Sequence, residues 1–139
     1  MAGYKELKGQ VAIVGAAESD EIGVVPNKSV LQLHAEGARN AIADAGLKKS
    51  DIDAVFTAGT NPAVLCEYLG LQPRFIDGTS VGGCSFVIMM EHAMMALYHG
   101  MCNYALISHG ESGRSRVGVD RPSPGPSSPA GQFEIPWGV

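Results

Sequence analysis

Residues 78–100 read GTSVGGCSFVIMMEHAMMALYHG and offer two nucleophiles. Ser80 lies in Gly78-Thr79-Ser80-Val81-Gly82, which fits the serine-hydrolase pattern G-x-S-x-G. Cys84 stands where a glycine turn gives way to a long apolar run. A serine elbow needs the helix to start at once, and an acid followed by a histidine later in the chain. Here the apolar run begins five residues after Ser80, and Asp120, which could be the acid, follows His92, His99 and His109. The serine reading fails for want of a base.

Cys84 fares better. At the first turn of a helix, unpaired backbone N–H groups and the helix dipole favour an anion, and the thiolate is the nucleophilic form of cysteine. Gly82 and Gly83 let the backbone turn tightly and a substrate carbonyl approach closely. The N–H groups from Gly83 to Ser85 could polarise that carbonyl, and the apolar helix would hold the thiol in a dry site. Position alone leaves open a small buried cysteine of purely structural use. Cys66, within an apolar helix, and Cys102, in a turn, read as structural.

The remaining candidates are weaker. His109 and Glu111 follow a predicted strand, at the end of a parallel sheet where ligands bind, and either scaffold or substrate contact suits them. His34 and His92 fall on helices and read as satisfied packing residues. No carboxylate–histidine set has metal spacing. Three cysteines without a C-x-x-C argue against zinc and a disulfide framework and suit a reducing compartment. Gly15-Ala16-Ala17 lacks the further glycines of a dinucleotide loop, and no Lys follows Gly82-Gly83, which removes the nucleotide-phosphate readings.

Alternating strands and helices must position these residues. Gln10–Gly15 is a β-branched run closed by glycine, predicted as the first strand. Asn27 or Ser29 can cap a helix to about Ala45, with Leu31, Ala35, Ala38, Ile42 and Ala45 at helical spacing and Gly46 as its stop. Residues 53–57 form a second strand, Pro62–Leu69 a short helix, 74–77 a third strand, 85–99 the long apolar helix, and 103–108 a fourth strand. Such alternation predicts parallel pairings with crossover helices. The helix after Cys84 is apolar nearly all round, whereas a surface helix carries one apolar stripe. It must be covered on every side, by a second sheet or a partner chain. Residues 109–139 hold five of the eight prolines and no period, so they read as a long loop. The apolar ending GQFEIPWGV reads as a chain stopping in mid-fold.

The 139 residues are 45% hydrophobic and 17% charged, which indicates one folded domain able to bury about two thirds of its unfolded surface. A net charge of −4 argues against a nucleic-acid surface. Glu91 and His92 interrupt the apolar run too early for a membrane span, and MAGYKELKGQ lacks a signal-peptide core. A cytoplasmic protein is expected.

Three stretches, VAIVGAAESDEIGVVPNKSVLQLHAEGARNAIADAGLKKSDIDAVFTAG, GTSVGGCSF and ALISHGESGRSR, resemble the N-terminal part of the thiolase superfamily. Within it they are most similar to the lipid-transfer-protein-like (sterol-carrier-type) acetyl-CoA acetyltransferases, over residues 10–138. The resemblance implies an α/β, thiolase-like layered αβαβα fold, with 1–112 as an N-terminal half-domain and 113–139 as the start of the loop region over the active site. It implies a nucleophile helix sandwiched between two sheets, with Cys84 on the acyl-accepting position, although counting back from Gly100 places that position on Gly83 in some members. Substrate contacts would come from Gly82, Gly83, Ser85 and His109. Arg114, Arg116 and Arg121 could meet the phosphates of coenzyme A, as could any solvated loop.

The expected activity is thiolase-type acyl transfer, Claisen condensation or thiolytic cleavage of a 3-ketoacyl-CoA, through a cysteine acyl-enzyme. A coenzyme A thioester would be the substrate, with no tightly bound cofactor. The base and second cysteine of thiolases belong to a C-terminal half that these residues do not contain. Members with a GG-x-SF motif often lack the cysteine, and several act as retro-aldolases. The alternatives are therefore a retro-aldolase on a side-chain acyl-CoA, or a non-catalytic acyl-CoA- or lipid-binding subunit. A homo-oligomer, and a zinc-ribbon/OB-fold partner subunit, are the partners the resemblance implies.

Overall fold

The computed structural model describes residues 6–117. Its core is a three-stranded parallel sheet in the order β2-β1-β3, formed by β1 (Ala54–Thr57), β2 (Phe75–Gly78) and β3 (Ala105–Ser108). Val55 of β1 stands opposite Ile76 on one side and Leu106 on the other. The central strand Ala-Val-Phe-Thr is buried at all four positions, as a parallel strand with helices on both faces must be. Alternation divides it. Val55 joins Ala35, Ala38, Ile42, Leu65 and Leu69 on one face, whereas Ala54 and Phe56 join Met89, Ala93 and Ala96 on the other. The helices α1 (Val30–Asp44) and α2 (Pro62–Leu69) cover the first face and α3 (Ser85–Tyr98) the second.

The helix starts follow local chemistry. Ser29 and Gln32 make a reciprocal capping box at α1. The side chain of Asn61 accepts from the Ala63 N–H at α2, where Pro62 occupies a first-turn position that needs no donor.

The expected first strand over 10–15 is not formed. Ile13 and Val14 are 74% and 60% exposed, and the segment pairs with neither sheet edge. A polar stripe on α1, with members four residues apart, catches the chain beyond it. The Asp44 carboxylate accepts from the Ala16 N–H, Asn40 donates to the Glu18 carbonyl and to Asp20, and Glu36 accepts from the Asp20 N–H and from Lys28 at 2.8 Å. A β-branched pattern reports an extended apolar segment, but it cannot report whether a strand lies beside it.

On α3 the sheet covers only the stripe of Met89, Ala93 and Ala96. Val87, Met90, Met95 and Tyr98 stand exposed, so the all-round apolar character read in the sequence leaves an uncovered face. Patches of this kind mark interaction surfaces.

Asp53 closes the opposite end of the sheet. Its carboxylate accepts from the backbone N–H groups of Asn103 and Tyr104, both at 2.8 Å, and meets Arg74 at 3.1 Å. It thereby ties the entries of all three strands together. Burial alone would raise its pKa, but the N–H donors of Tyr104 and Asn103 and the Arg74 guanidinium outweigh it and hold the carboxyl below its ordinary value.

Asp53→Ala should therefore cost about 2 kcal/mol, read as a lower urea midpoint at pH 7. Because the folded value is the depressed one, the stabilisation is present above the unfolded value of about 3.9 and is lost as pH falls through the folded value. The gap between wild type and Asp53→Asn should shrink below about pH 4. The 139-residue chain alone should self-associate through α3 at micromolar concentration. Sedimentation would show oligomers, and a clean monomer would contradict the role given to the uncovered face.

Candidate functional site at the carboxyl ends of the strands

The loops leaving β1, β2 and β3 converge at one edge of the sheet, where open α/β folds bind ligands. The loop after β2 carries Gly82, Gly83 and Cys84 into α3. Gly82 has φ +83°, a left-handed conformation that a side chain would strain. Ser85 locks the turn: its hydroxyl donates to the Gly82 carbonyl at 2.6 Å and accepts from the Val81 N–H at 3.0 Å, and Ser85 itself is 1% exposed. The Ser85 N–H also donates to the Gly82 carbonyl, so it is not available to a substrate. That corrects the expectation of a three-amide cradle. Among the described residues, the N–H groups of Gly83 and Cys84 remain for that use.

Cys84 caps α3, and its carbonyl accepts from the Val87 N–H. The thiol is exposed, not held in a dry pocket, and among the described residues Val87 and Met90 of α3 are exposed as well. Its sulfur donates to the Val81 carbonyl at 3.5 Å, and among the described residues no histidine or lysine reaches it. Cys66 and Cys102 are buried, and burial pushes both thiols above their ordinary value.

His109 follows β3 directly. Its Nδ1 lies 3.3 Å from the Ala58 carbonyl in the loop after β1, and its ring meets Phe86, two residues beyond Cys84, edge-on at 4.7 Å. A ring whose Nδ1–H is given to a carbonyl leaves Nε2 as the acceptor. Glu111 Oε1 lies 3.4 Å from that nitrogen, a contact that attracts only when the ring carries both protons. His109 thus links the β1 loop, α3 and its own strand, and Glu111 is its exposed companion.

Of the two helical histidines expected as satisfied packing residues, His34 is packed inside, although its Nε2 has no partner among the described residues, and His92 is not. His92 is half-exposed on α3 and paired with Asp77 at 2.6 Å. His34 is wholly buried under the turn at 109–110 and touches the His109 ring at 5.9 Å, which its position on an amphipathic helix did not announce. Arg114 and Arg116 lie exposed beyond β3, whereas Arg121 falls outside the described residues. Among the described residues no helix is long and apolar enough to cross a membrane, and no group of three potential ligands could hold a metal. A cavity of about 380 Å³ between α1 and α2 has none of these candidate residues in its lining, and two of its cations are already engaged, Lys28 by Glu36 and Lys49 by the Leu69 carbonyl.

No family profile matches the chain. Two curated proteins do. It is 34% identical over 101 residues to the 17-hydroxy-3-oxo-4-pregnene-20-carboxyl-CoA lyase of Mycobacterium tuberculosis, covering 70% of the chain and 26% of that protein. It is 31% identical over 115 residues to the steroid side-chain-cleaving aldolase of Thermomonospora curvata, covering 80% of the chain and 29% of that protein. The chain thus spans less than a third of the length of either relative. Among solved structures, the Ltp2-ChsH2(DUF35) aldolase superposes with a TM-score of 0.67 at 27% identity, over 91% of this chain and 35% of that one. An acetyl-CoA acetyltransferase from Syntrophomonas wolfei superposes with a TM-score of 0.60 at 23% identity, over 68% of this chain and 27% of that one, a likeness of fold. The chain carries the N-terminal part of a thiolase-superfamily fold.

With the exposed thiol on α3 and the others buried, iodoacetamide should label Cys84 first in the native protein. Peptide mapping that found Cys66 or Cys102 modified sooner would contradict the placement of α3.

Proposed function

We propose that the chain belongs to a thiolase-fold carbon–carbon lyase that cleaves a β-hydroxyacyl-CoA side chain by a retro-aldol reaction, with Cys84 incidental to the chemistry. The observation that carries this reading is the similarity to two side-chain-cleaving enzymes over 70% and 80% of the chain. In such a cleavage a base takes the β-hydroxyl proton and the oxygen becomes a ketone carbonyl. The Cα–Cβ electron pair moves onto the thioester as an enolate, and a proton returns to Cα. No covalent enzyme intermediate is needed, which accords with a Cys84 thiol that has no base beside it among the described residues.

This edge of the sheet supplies groups suited to the two charges. His109, with Nδ1 on the Ala58 carbonyl, offers Nε2 as a proton acceptor. The Gly83 and Cys84 N–H groups at the start of α3 suit an enolate oxygen. Arg114 and Arg116 suit the phosphates of coenzyme A. A second copy of the chain on the α3 face, and a small zinc-ribbon/OB-fold subunit, are the partners we propose. The two-chain aldolase that this fold resembles supports the second of these.

Acyl transfer through Cys84 is the second reading, favoured by an exposed thiol at the start of a 14-residue helix. Cys84→Ala in the full-length enzyme separates the two. The lyase reading expects cleavage within about threefold of wild type and no acyl adduct by intact mass. A loss of about a thousandfold, with an acyl group found on wild-type Cys84, would replace it by acyl transfer.

A further inference from the structure

His34 carries a cost that packing alone does not offset. It is fully buried on α1, yet its Nε2 has no hydrogen-bond partner among the described residues. Buried polar atoms left unpaired are rare and call for an explanation. A phenylalanine would fill the same space without that penalty.

The other end of the ring supplies one. His34 Nδ1 lies 3.0 Å from the Ser108 hydroxyl, and the same hydroxyl lies 3.3 Å from the His34 carbonyl. One hydroxyl proton cannot serve both contacts. If it goes to the carbonyl, Nδ1 must donate, and both contacts are satisfied. That arrangement puts the proton on Nδ1 and leaves Nε2 a bare lone pair. Burial, together with the neighbouring His109, pushes the His34 pKa down to about 4, so the ring stays neutral through the physiological range. Ser108 is the last residue of β3, and His109 comes next. The turn is also pressed onto α1, because a Cβ on Gly110 would stand 2.8 Å from the His34 backbone nitrogen and 3.1 Å from the Val30 carbonyl oxygen.

We infer that His34 is a positioning residue: its Nδ1–H on the Ser108 hydroxyl holds the end of β3 and so sets the placement of the His109 imidazole that follows. The inference rests on His109 belonging to the site proposed above. It also explains why a histidine is kept where an apolar side chain would pack at lower cost, since only the polar link grips the strand at the residue before His109.

Two substitutions separate positioning from packing in the full-length enzyme. His34→Phe keeps the ring and loses the donor, whereas His34→Asn keeps a donor near Nδ1 and loses the ring. With a β-hydroxyacyl-CoA as substrate, His34→Phe should lower kcat about tenfold with KM within twofold, while His34→Asn keeps most of kcat. Ser108→Ala should match His34→Phe, and the double variant should be no worse than either alone, as expected for one shared link. Histidine-selective ¹⁵N NMR of the wild-type protein needs neither turnover nor a variant that folds. It should place a slowly exchanging proton on His34 Nδ1 and none on Nε2. A protonated Nε2, or a His34→Phe enzyme with unchanged kcat, would overturn the inference. Absence of any cleavage by wild type would count against the lyase reading alone.

Discussion

Burial of β1 on both faces is the constraint from which the rest follows. Four residues, Ala54 to Thr57, lose contact with water on either side, so the chain must supply a helical layer above and below them. Parallel pairing to β2 and β3 sends each connection back across the sheet, and all three strands finish at the same edge. Phe86, His109 and the Ala58 carbonyl meet in that region because of the topology, although they are far apart in sequence. At the opposite edge a single carboxylate, that of Asp53, gathers the strand entries. The sheet is thus closed by polar contacts where it begins and is left open to ligands where it ends.

The turn into α3 is the second determinant. Gly82 supplies the left-handed bend, and the Ser85 hydroxyl spends both its donor and its acceptor on holding it. The Gly83 and Cys84 amides lie beside it at the start of a helix whose dipole favours negative charge. An acyl-enzyme oxyanion and a thioester enolate make nearly the same demand on such a place. A turn of this kind would suit acyl transfer and carbon–carbon cleavage alike, with the difference residing in the nucleophile and the base.

Much of this was legible in the residues. The capping Ser29, Pro62 after Asn61, and the closing glycines at 46, 70 and 100 are short-range signals, and each helix lies where they put it. The strands at 54–57, 75–78 and 105–108 were visible as β-branched or apolar runs between those helices. Gln10–Gly15 carried the same signal and failed, because strand formation depends on a neighbour that local pattern cannot see. The place of Cys84 at the start of α3 was legible, because its glycine turn and apolar helix are contiguous. The contacts of His34 were not, because its partners Ser108 and His109 lie more than seventy residues away. Nor could the sequence show that the Ser85 N–H would be consumed within its own turn.

The order of the strands also governs how the chain can be made. β2 follows β1 after one short helix, but the partner on β1's other side, β3, begins 51 residues after it, since Ala54 pairs with Ala105. During synthesis the central strand therefore waits with one edge unpaired while α3, the most apolar of the described α-helices, emerges ahead of the strand that completes the sheet. An open strand edge beside an uncovered greasy helix invites the wrong partner. The half-finished chain is thus most vulnerable between about residues 85 and 105, and a chaperone or a waiting subunit has the most to protect in that interval.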